Sequence, residues 1–126
     1  IDTGGLGQGV GDRLHEKDFF SNNIMFGQKA PDTTRYKNMR AYIYYELAEW
    51  IKRGGRLVRD DRWYELLSVN YKTDSERKFI IQPKEELKKI MRELGLTVTS
   101  PDVADAAALT FADNTMMLTE DDFEWI

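Results

Sequence analysis

The stretch that decides the fold is TTRYKNMRAYIYYELAEWIKRGG, residues 33–55. Its large apolar side chains repeat at spacings of four, four and three residues: Met39, Ile43, Leu47 and Trp50. This spacing places them on one face, so the stretch predicts an amphipathic helix. Thr33 or Thr34 is expected to cap its start, and the pair Gly54 and Gly55 to end it. Tyrosines widen the apolar face, which predicts a central helix covered on more than one side.

Shorter elements are predicted on both sides of this helix. Upstream, residues 1–14, IDTGGLGQGVGDRL, predict the end of a strand, a glycine-rich turn and a short helix. Residues 22–27, NNIMFG, form an apolar run between Asn and Gly that predicts a short buried strand. Downstream, residues 60–69, DDRWYELLSV, open with a possible aspartate cap and predict a short helix.

The second half of the chain predicts a hairpin followed by two helices. The runs VNYK and KFIIQ are separated by the polar stretch TDSER, a pattern typical of a β-hairpin. Residues 82–94, QPKEELKKIMREL, have Pro83 in the first turn, acids early and bases late, as helices prefer. Residues 100–113 predict the last helix, with Ser100 as its cap and Pro101 as its first residue.

Length and composition bound the class of protein. The 126 residues suffice for one domain, and 41% hydrophobic with 32% charged residues is typical of a globular chain. The absence of cysteine excludes disulfides and thiolate zinc sites, and it suits a reducing interior. No apolar run approaches the roughly 20 residues of a membrane span, and no secretory signal pattern opens the sequence. We therefore expect no membrane partner.

Charge is unevenly distributed along the chain, although the net charge is only −4. Residues 35–59 contain seven basic and two acidic side chains, whereas residues 113–126 contain five acidic and no basic ones. Each run is either a solvated face or a charged interface. In the basic run, Lys37 and Arg40 are the candidates for binding a nucleic-acid backbone, because phosphate contacts need cations and no particular base sequence.

Two aspartates mark the last predicted helix. Asp102 and Asp105 are three residues apart and therefore lie on neighbouring lines of one helical face. Asp102 lies in the first turn, where the helix dipole favours an acid whatever its function. Asp105 stands among alanines typical of close packing, where a carboxylate must be paired or must coordinate a cation. Carboxylate oxygens suit Mg²⁺ or Mn²⁺, and Asp2, at a predicted strand end, is the candidate second ligand.

Four segments, taken in order, resemble the C-terminal nuclease domain of tailed-phage large terminase subunits, which package phage DNA and cut it. The segments are IDTGGLGQGVGDRL, YKNMRAYIYYELAEWIKRGG, LLSVNYKTDSERKFIIQPKEELKK and SPDVADAAALTF. The resemblance covers residues 1–114 and leaves residues 115–126 as an acidic tail. It implies an α/β fold similar to ribonuclease H, a mixed sheet flanked by helices, with acidic residues holding two divalent metal ions.

The resemblance also implies roles for particular residues and partners. Asp2 and Asp105 match two of the family's catalytic metal ligands, with Asp102 as an auxiliary ligand. Lys84 lies where similar proteins often carry a lysine before an acidic helix turn, and it is a further candidate for binding nucleic acid; otherwise it is a surface lysine of the first helical turn. The implied reaction is two-metal hydrolysis of concatemeric double-stranded DNA with Mg²⁺ or Mn²⁺. The implied partners are double-stranded DNA and other terminase and portal proteins, in the cytoplasm of a bacterial host.

The sequence departs from the family at its start. The family's first acidic ligand lies on the first strand of the sheet, and no residue here matches it, so we expect a domain truncated at its N-terminus. Such a chain would bind metal weakly and could associate with itself through unpaired sheet edges. Two alternatives stay open: a non-catalytic module that binds DNA or a partner, and another ribonuclease-H-like enzyme such as a junction resolvase.

Overall fold

The computed structural model describes residues 1–97 and 100–112. These residues form helices and one small sheet, so helix and strand are mixed, as an α/β chain requires. In chain order the elements are α1 (Gly7–His15), α2 (Met39–Lys52), a 3-10 turn (Asp61–Tyr64), α3 (Glu65–Ser68), β1 (Tyr71–Thr73), β2 (Phe79–Ile81), α4 (Lys84–Glu93) and α5 (Asp102–Leu109). The predicted acidic tail, residues 115–126, lies outside the described residues.

Helix α2 forms where the sequence predicted a helix, but it begins later than expected. Asn38 is its cap, because Asn38 Oδ1 accepts a hydrogen bond from the Ala41 backbone N–H at 3.0 Å. The prediction that Thr33 or Thr34 caps this helix is therefore wrong. Both threonines lie in a separate turn ahead of the helix, where Asp32 Oδ1 accepts a hydrogen bond from the Thr34 backbone N–H at 2.9 Å.

Two clusters of buried side chains cover α2. The larger cluster joins α2 to α5 and has these buried members: Ile24, Met39, Ile43, Tyr44, Leu47, Ala104, Ala108 and Ala112. The smaller cluster packs Ala41 against Ala30 and Tyr36. The alanines of α5 have no bulk beyond Cβ, which lets the two helix backbones approach closely. The predicted covering of α2 on more than one side is confirmed, and its predicted end is confirmed by Gly54, which has a φ of 95°.

The predicted hairpin is confirmed, whereas the strand predicted in residues 22–27 is reduced to a single bridge. Strands β1 and β2 pair antiparallel around the predicted polar turn. Ile24 forms one parallel bridge, with Asp2. The pairing stops there because the backbone turns at once, with the Gln28 N–H donating to the Met25 carbonyl at 2.9 Å. The sheet of the described residues is therefore β1 and β2 alone.

Helix α5 is capped by a residue that is distant in sequence. Glu65 Oε2 accepts hydrogen bonds from the backbone N–H groups of Val103 at 2.8 Å and Ala104 at 3.0 Å. An acid at this position also suits the positive end of the helix dipole. The prediction of Ser100 as the cap is wrong, since the helix starts at Asp102 and its free N–H groups are directed to the glutamate of α3.

Candidate functional site

The carboxylate of Asp105 lies at the interface between α5 and α2. Its Oδ1 accepts a hydrogen bond from the Tyr44 hydroxyl at 2.5 Å and another from Arg40 Nη2 at 3.4 Å. The side chains of Arg40 and Asp105 are only 12% and 16% exposed. The sequence predicted that this carboxylate must be paired or must coordinate a cation. In this structure it is paired, and its partner is a cation of the same chain.

Arg40 is held in place by its backbone and by two aromatic rings. Its backbone N–H donates to the Phe26 carbonyl at 3.0 Å. Its guanidinium carbon lies 5.7 Å from the ring centroids of both Phe26 and Tyr44, a distance at which a cation is attracted to a ring face. Its Nε is buried without a hydrogen-bond partner in the described part of the chain. The guanidinium therefore points inward to α5 and contacts Asp105 through a single nitrogen.

Tyr44 keeps Asp105 in one orientation. Burial raises the pKa of Tyr44 far above its usual value, and the neighbouring charge of Asp105 raises it further. Tyr44 is therefore protonated at neutral pH and acts as a hydrogen-bond donor. Both contacts of the carboxylate use Oδ1, so Oδ2 receives no hydrogen bond from residues 1–97 or 100–112. One oxygen of Asp105 thus makes two contacts, and the other makes no hydrogen bond with the described residues.

Asp2 is connected to Arg40 through the backbone of residues 24–26. Its side chain is exposed, and its Oδ1 accepts a hydrogen bond from the Gly4 backbone N–H at 2.9 Å. Its backbone bridges Ile24, whose side chain packs in the same cluster as the alanines of α5. Two residues later, the Phe26 carbonyl accepts the Arg40 N–H. Residues 24–26 therefore connect Asp2 to the helix that carries the partners of the α5 carboxylate.

Asp102 is exposed in the first turn of α5, the position that the helix dipole favours. Among the described residues there is no group of three or more His, Cys, Asp or Glu side chains placed to hold a metal ion. The three predicted ligands, Asp2, Asp102 and Asp105, are therefore not assembled into one such group in this structure.

The three cations predicted to contact nucleic acid lie in different surroundings. Arg40 faces the α5 carboxylate. Lys37 is half exposed and lies 3.3 Å from Asp74 Oδ2 and 3.9 Å from Glu76 Oε2, both in the hairpin turn. A backbone hydrogen bond within that turn and, to a smaller extent, the Lys37 ammonium lower the pKa of Asp74. Lys84 is the exposed first residue of α4. Of the three cations, Lys84 and Lys37 are thus the ones that solvent reaches.

The spacing of Tyr44 from Arg40 in the sequence indicates that the two side chains can share a contact, although an aromatic residue on a helix usually belongs to the core. The sequence predicts Tyr44 as part of the apolar surface of α2, although it lies four residues after Arg40. Side chains at that spacing are neighbours on a helix, so both can reach the same carboxylate. The capping by Glu65 has no comparable signal, because it depends on how α3 lies against α5.

No helix in the described residues is both long and apolar enough to cross a membrane. Comparison of the chain with protein-family models, curated proteins and solved structures finds no significant match.

Proposed function

We propose that this chain is part of the metal-dependent endonuclease domain of a phage DNA-packaging terminase, with the ribonuclease-H-like arrangement of that class. The reaction is the hydrolysis of concatemeric double-stranded DNA. The first support is the order of the four sequence segments, which run from residue 1 to residue 111 and together contain 70 of residues 1–114. The observation that carries the proposal is Asp105, a partly buried carboxylate on an alanine-lined helix, oriented by Tyr44 and with Oδ2 outside both contacts.

The two proposed ligands have donors of the kind that a hard divalent cation prefers. Asp2 and Asp105 offer carboxylate oxygens, which suit Mg²⁺ or Mn²⁺. In this proposal these two residues hold metal, and Asp102 is an auxiliary group near the start of the same helix. Bound metal would activate water and stabilise the leaving oxygen of the phosphodiester. Two carboxylates are fewer than a two-metal site needs, so we expect this chain by itself to bind metal weakly and to cleave inefficiently.

Other residues of the chain have defined tasks in the proposed reaction. Tyr44 donates to Asp105 and prevents the carboxylate from rotating. Lys37 and Lys84 supply cations to the DNA backbone, in contacts that carry no sequence preference. The proposed partners are double-stranded DNA, other terminase and portal proteins, and a second copy of the chain paired through a sheet edge. The proposed setting is the cytoplasm of a bacterial host.

A second candidate function is a non-catalytic module that binds DNA or a protein partner. It is favoured by the ion pair between Arg40 and Asp105, which neutralises the carboxylate without any metal. In that function Asp105 serves only to tie α5 to α2.

A plasmid-nicking assay with Mn²⁺ distinguishes the two functions. The nuclease predicts that the wild-type chain nicks supercoiled plasmid and that Asp105→Asn abolishes nicking. Asp12→Asn, at an exposed position on α1, is the matched control and should nick as the wild type does. Calorimetry with MnCl₂ on the same three proteins tests the ligand even where nicking is slow. A folded wild-type chain that neither nicks DNA nor binds Mn²⁺ more tightly than Asp105→Asn would refute the nuclease and support the module.

A further inference from the structure

We propose that the C-terminal segment, residues 113–126, docks in an apolar groove of the same chain. The groove lies between α2, α3 and the hairpin and has a volume of about 380 Å³. The inference does not depend on the proposed nuclease, because none of the residues that line the groove is a proposed metal ligand.

Most of the side chains that line the groove are apolar. Those that α2, α3 and the hairpin contribute include Tyr45, Ala48, Leu66 and Phe79. Two others, Ile51 and Tyr71, are 41% and 65% exposed. Burying such surface against other apolar groups is favourable, and grouped exposed apolar side chains mark interaction sites. The volume lies within the roughly 300–1,000 Å³ of pockets that hold ligands, so the groove can take large side chains.

Cations lie around the end of the groove at which α2 finishes. Lys52 lines the groove and is paired with Glu49 at 2.7 Å. Three exposed arginines follow in the connection from α2 to the 3-10 turn before α3: Arg53, Arg56 and Arg59. Because α2 and α3 both line the groove, their connection lies at its end. The C-terminal segment contains five acidic and no basic side chains, so its charge is opposite to that of this end.

The C-terminal segment begins beside α2 and is long enough to reach the groove. Phe111 packs on Trp50 with ring centroids 5.9 Å apart, and Ala112 belongs to the larger buried cluster. Trp50 is two residues from Ala48, or roughly 200° around the helix, so the segment starts on the side of α2 opposite to the groove. A path half-way around a helix about 10–12 Å wide measures roughly 20 Å, which about six extended residues span. Residues 119–126 therefore remain to occupy the groove.

Residues 119–126, TEDDFEWI, combine the apolar and acidic side chains that the groove and its end require. In an extended conformation Phe123 and Trp125 would point to one side, and Asp122 and Glu124 to the other. The two aromatic side chains enter the groove, where aromatic partners in tilted arrangements add to the gain from burial. The two acids face the arginines at its end. The docked segment thus covers apolar surface of α2 and ties this helix to the hairpin.

Disulfide cross-linking of the full chain tests where the end of the segment lies. The chain contains no cysteine, so two introduced cysteines define the disulfide that can form within it. Ala48→Cys with Ile126→Cys should close an intramolecular disulfide about tenfold faster than Ala106→Cys with Ile126→Cys, because docking raises the effective concentration of one thiol at the other. Ala106 is the matched control, since it is an exposed alanine on α5 outside the groove. Equal rates would overturn the proposal, and so would disulfide-linked dimers alone, which would assign the groove to a second copy.

Calorimetry with a synthetic peptide of residues 113–126 tests whether the groove is occupied in the full chain. In the wild type the tethered segment competes with the peptide. Trp125→Ser weakens the tethered segment, so we expect this variant to bind the peptide about tenfold more tightly than the wild type, since tethered competitors act at effective concentrations on the order of 1 mM. Adding Ala48→Glu to Trp125→Ser places an acid in the groove and should abolish this binding, whereas adding Ala106→Glu should not. Equal peptide affinity of the wild type and Trp125→Ser, or no peptide binding by any folded variant, would overturn the proposal.

Discussion

Replacing Glu65 by alanine should destabilise the whole fold, although Glu65 lies outside the proposed site. Its Oε2 accepts hydrogen bonds from two N–H groups at the start of α5, and both would lose their partner. A helix cap contributes roughly 0.5–2 kcal/mol, and an acid at the dipole adds about 0.3–1 kcal/mol. We therefore expect the free energy of unfolding to fall by about 2 kcal/mol.

Urea unfolding followed by circular dichroism measures this loss, and thermal unfolding should show a midpoint lower by about 6–10 °C for a domain of this size. Glu65→Gln keeps a neutral acceptor oxygen and should lose roughly half as much. Glu93→Ala is the matched control, since its side chain on α4 is 63% exposed and 3.9 Å from Lys89. The backbone amides of Val103 and Ala104 should also exchange hydrogen faster in Glu65→Ala. If Glu65→Ala unfolds with the same midpoint as Glu93→Ala, the capping argument is wrong.

Three further predictions concern α2 and the residues around it. Tyr44→Phe should lower the free energy of unfolding by about 1.5 kcal/mol, because a carboxylate loses a charge-assisted hydrogen bond; an unchanged urea midpoint would contradict this. Burial raises the pKa of Tyr36 from 10.0 to about 12. The protonated Tyr36 side chain therefore makes its full contribution to the free energy of unfolding below pH 10, and this contribution is lost as the pH rises to 12. Stability should fall there by about 1.4 kcal/mol per pH unit for this group, and Tyr36→Phe should reduce the slope. Gly55→Ala would bring a Cβ to 2.3 Å from the Trp50 ring and should lower the free energy of unfolding by roughly 1–3 kcal/mol. Gly9→Ala, where the new Cβ would have nothing within 4 Å, should be neutral or stabilising. Equal melting temperatures for the two variants would contradict this prediction.

The sequence predicted that the Asp105 carboxylate needs a partner, but it did not predict which side chains provide it. The alanines around Asp105 indicated a packed helix, and a carboxylate in such a place needs a partner or a cation. Both possibilities followed from the sequence, but the choice between them did not. Arg40 is 65 residues away from Asp105, and nothing local to either residue specifies that α2 and α5 pack together. For the same reason the sequence predicts Arg40 as a contact to a nucleic-acid backbone, whereas its guanidinium points inward to Asp105.

The proposed metal binding and the observed ion pair require Asp105 to be in different states. A metal ligand must be free to bind metal, whereas a structural tie between helices must stay paired. The plasmid-nicking assay and the Mn²⁺ titration of Asp105→Asn therefore decide between a metal ligand and a structural tie.

By itself the sequence determined the elements whose causes are local. The stripe from Met39 to Trp50 specifies α2, the polar turn between two apolar runs specifies the hairpin, and Pro83 with its ordered charges specifies the start of α4. Their signals lie within a few residues of the structure they produce. Only the tertiary structure decided that Glu65 caps α5 and that Asp105 meets Arg40 and Tyr44, because those interactions join groups that come together only when the helices pack.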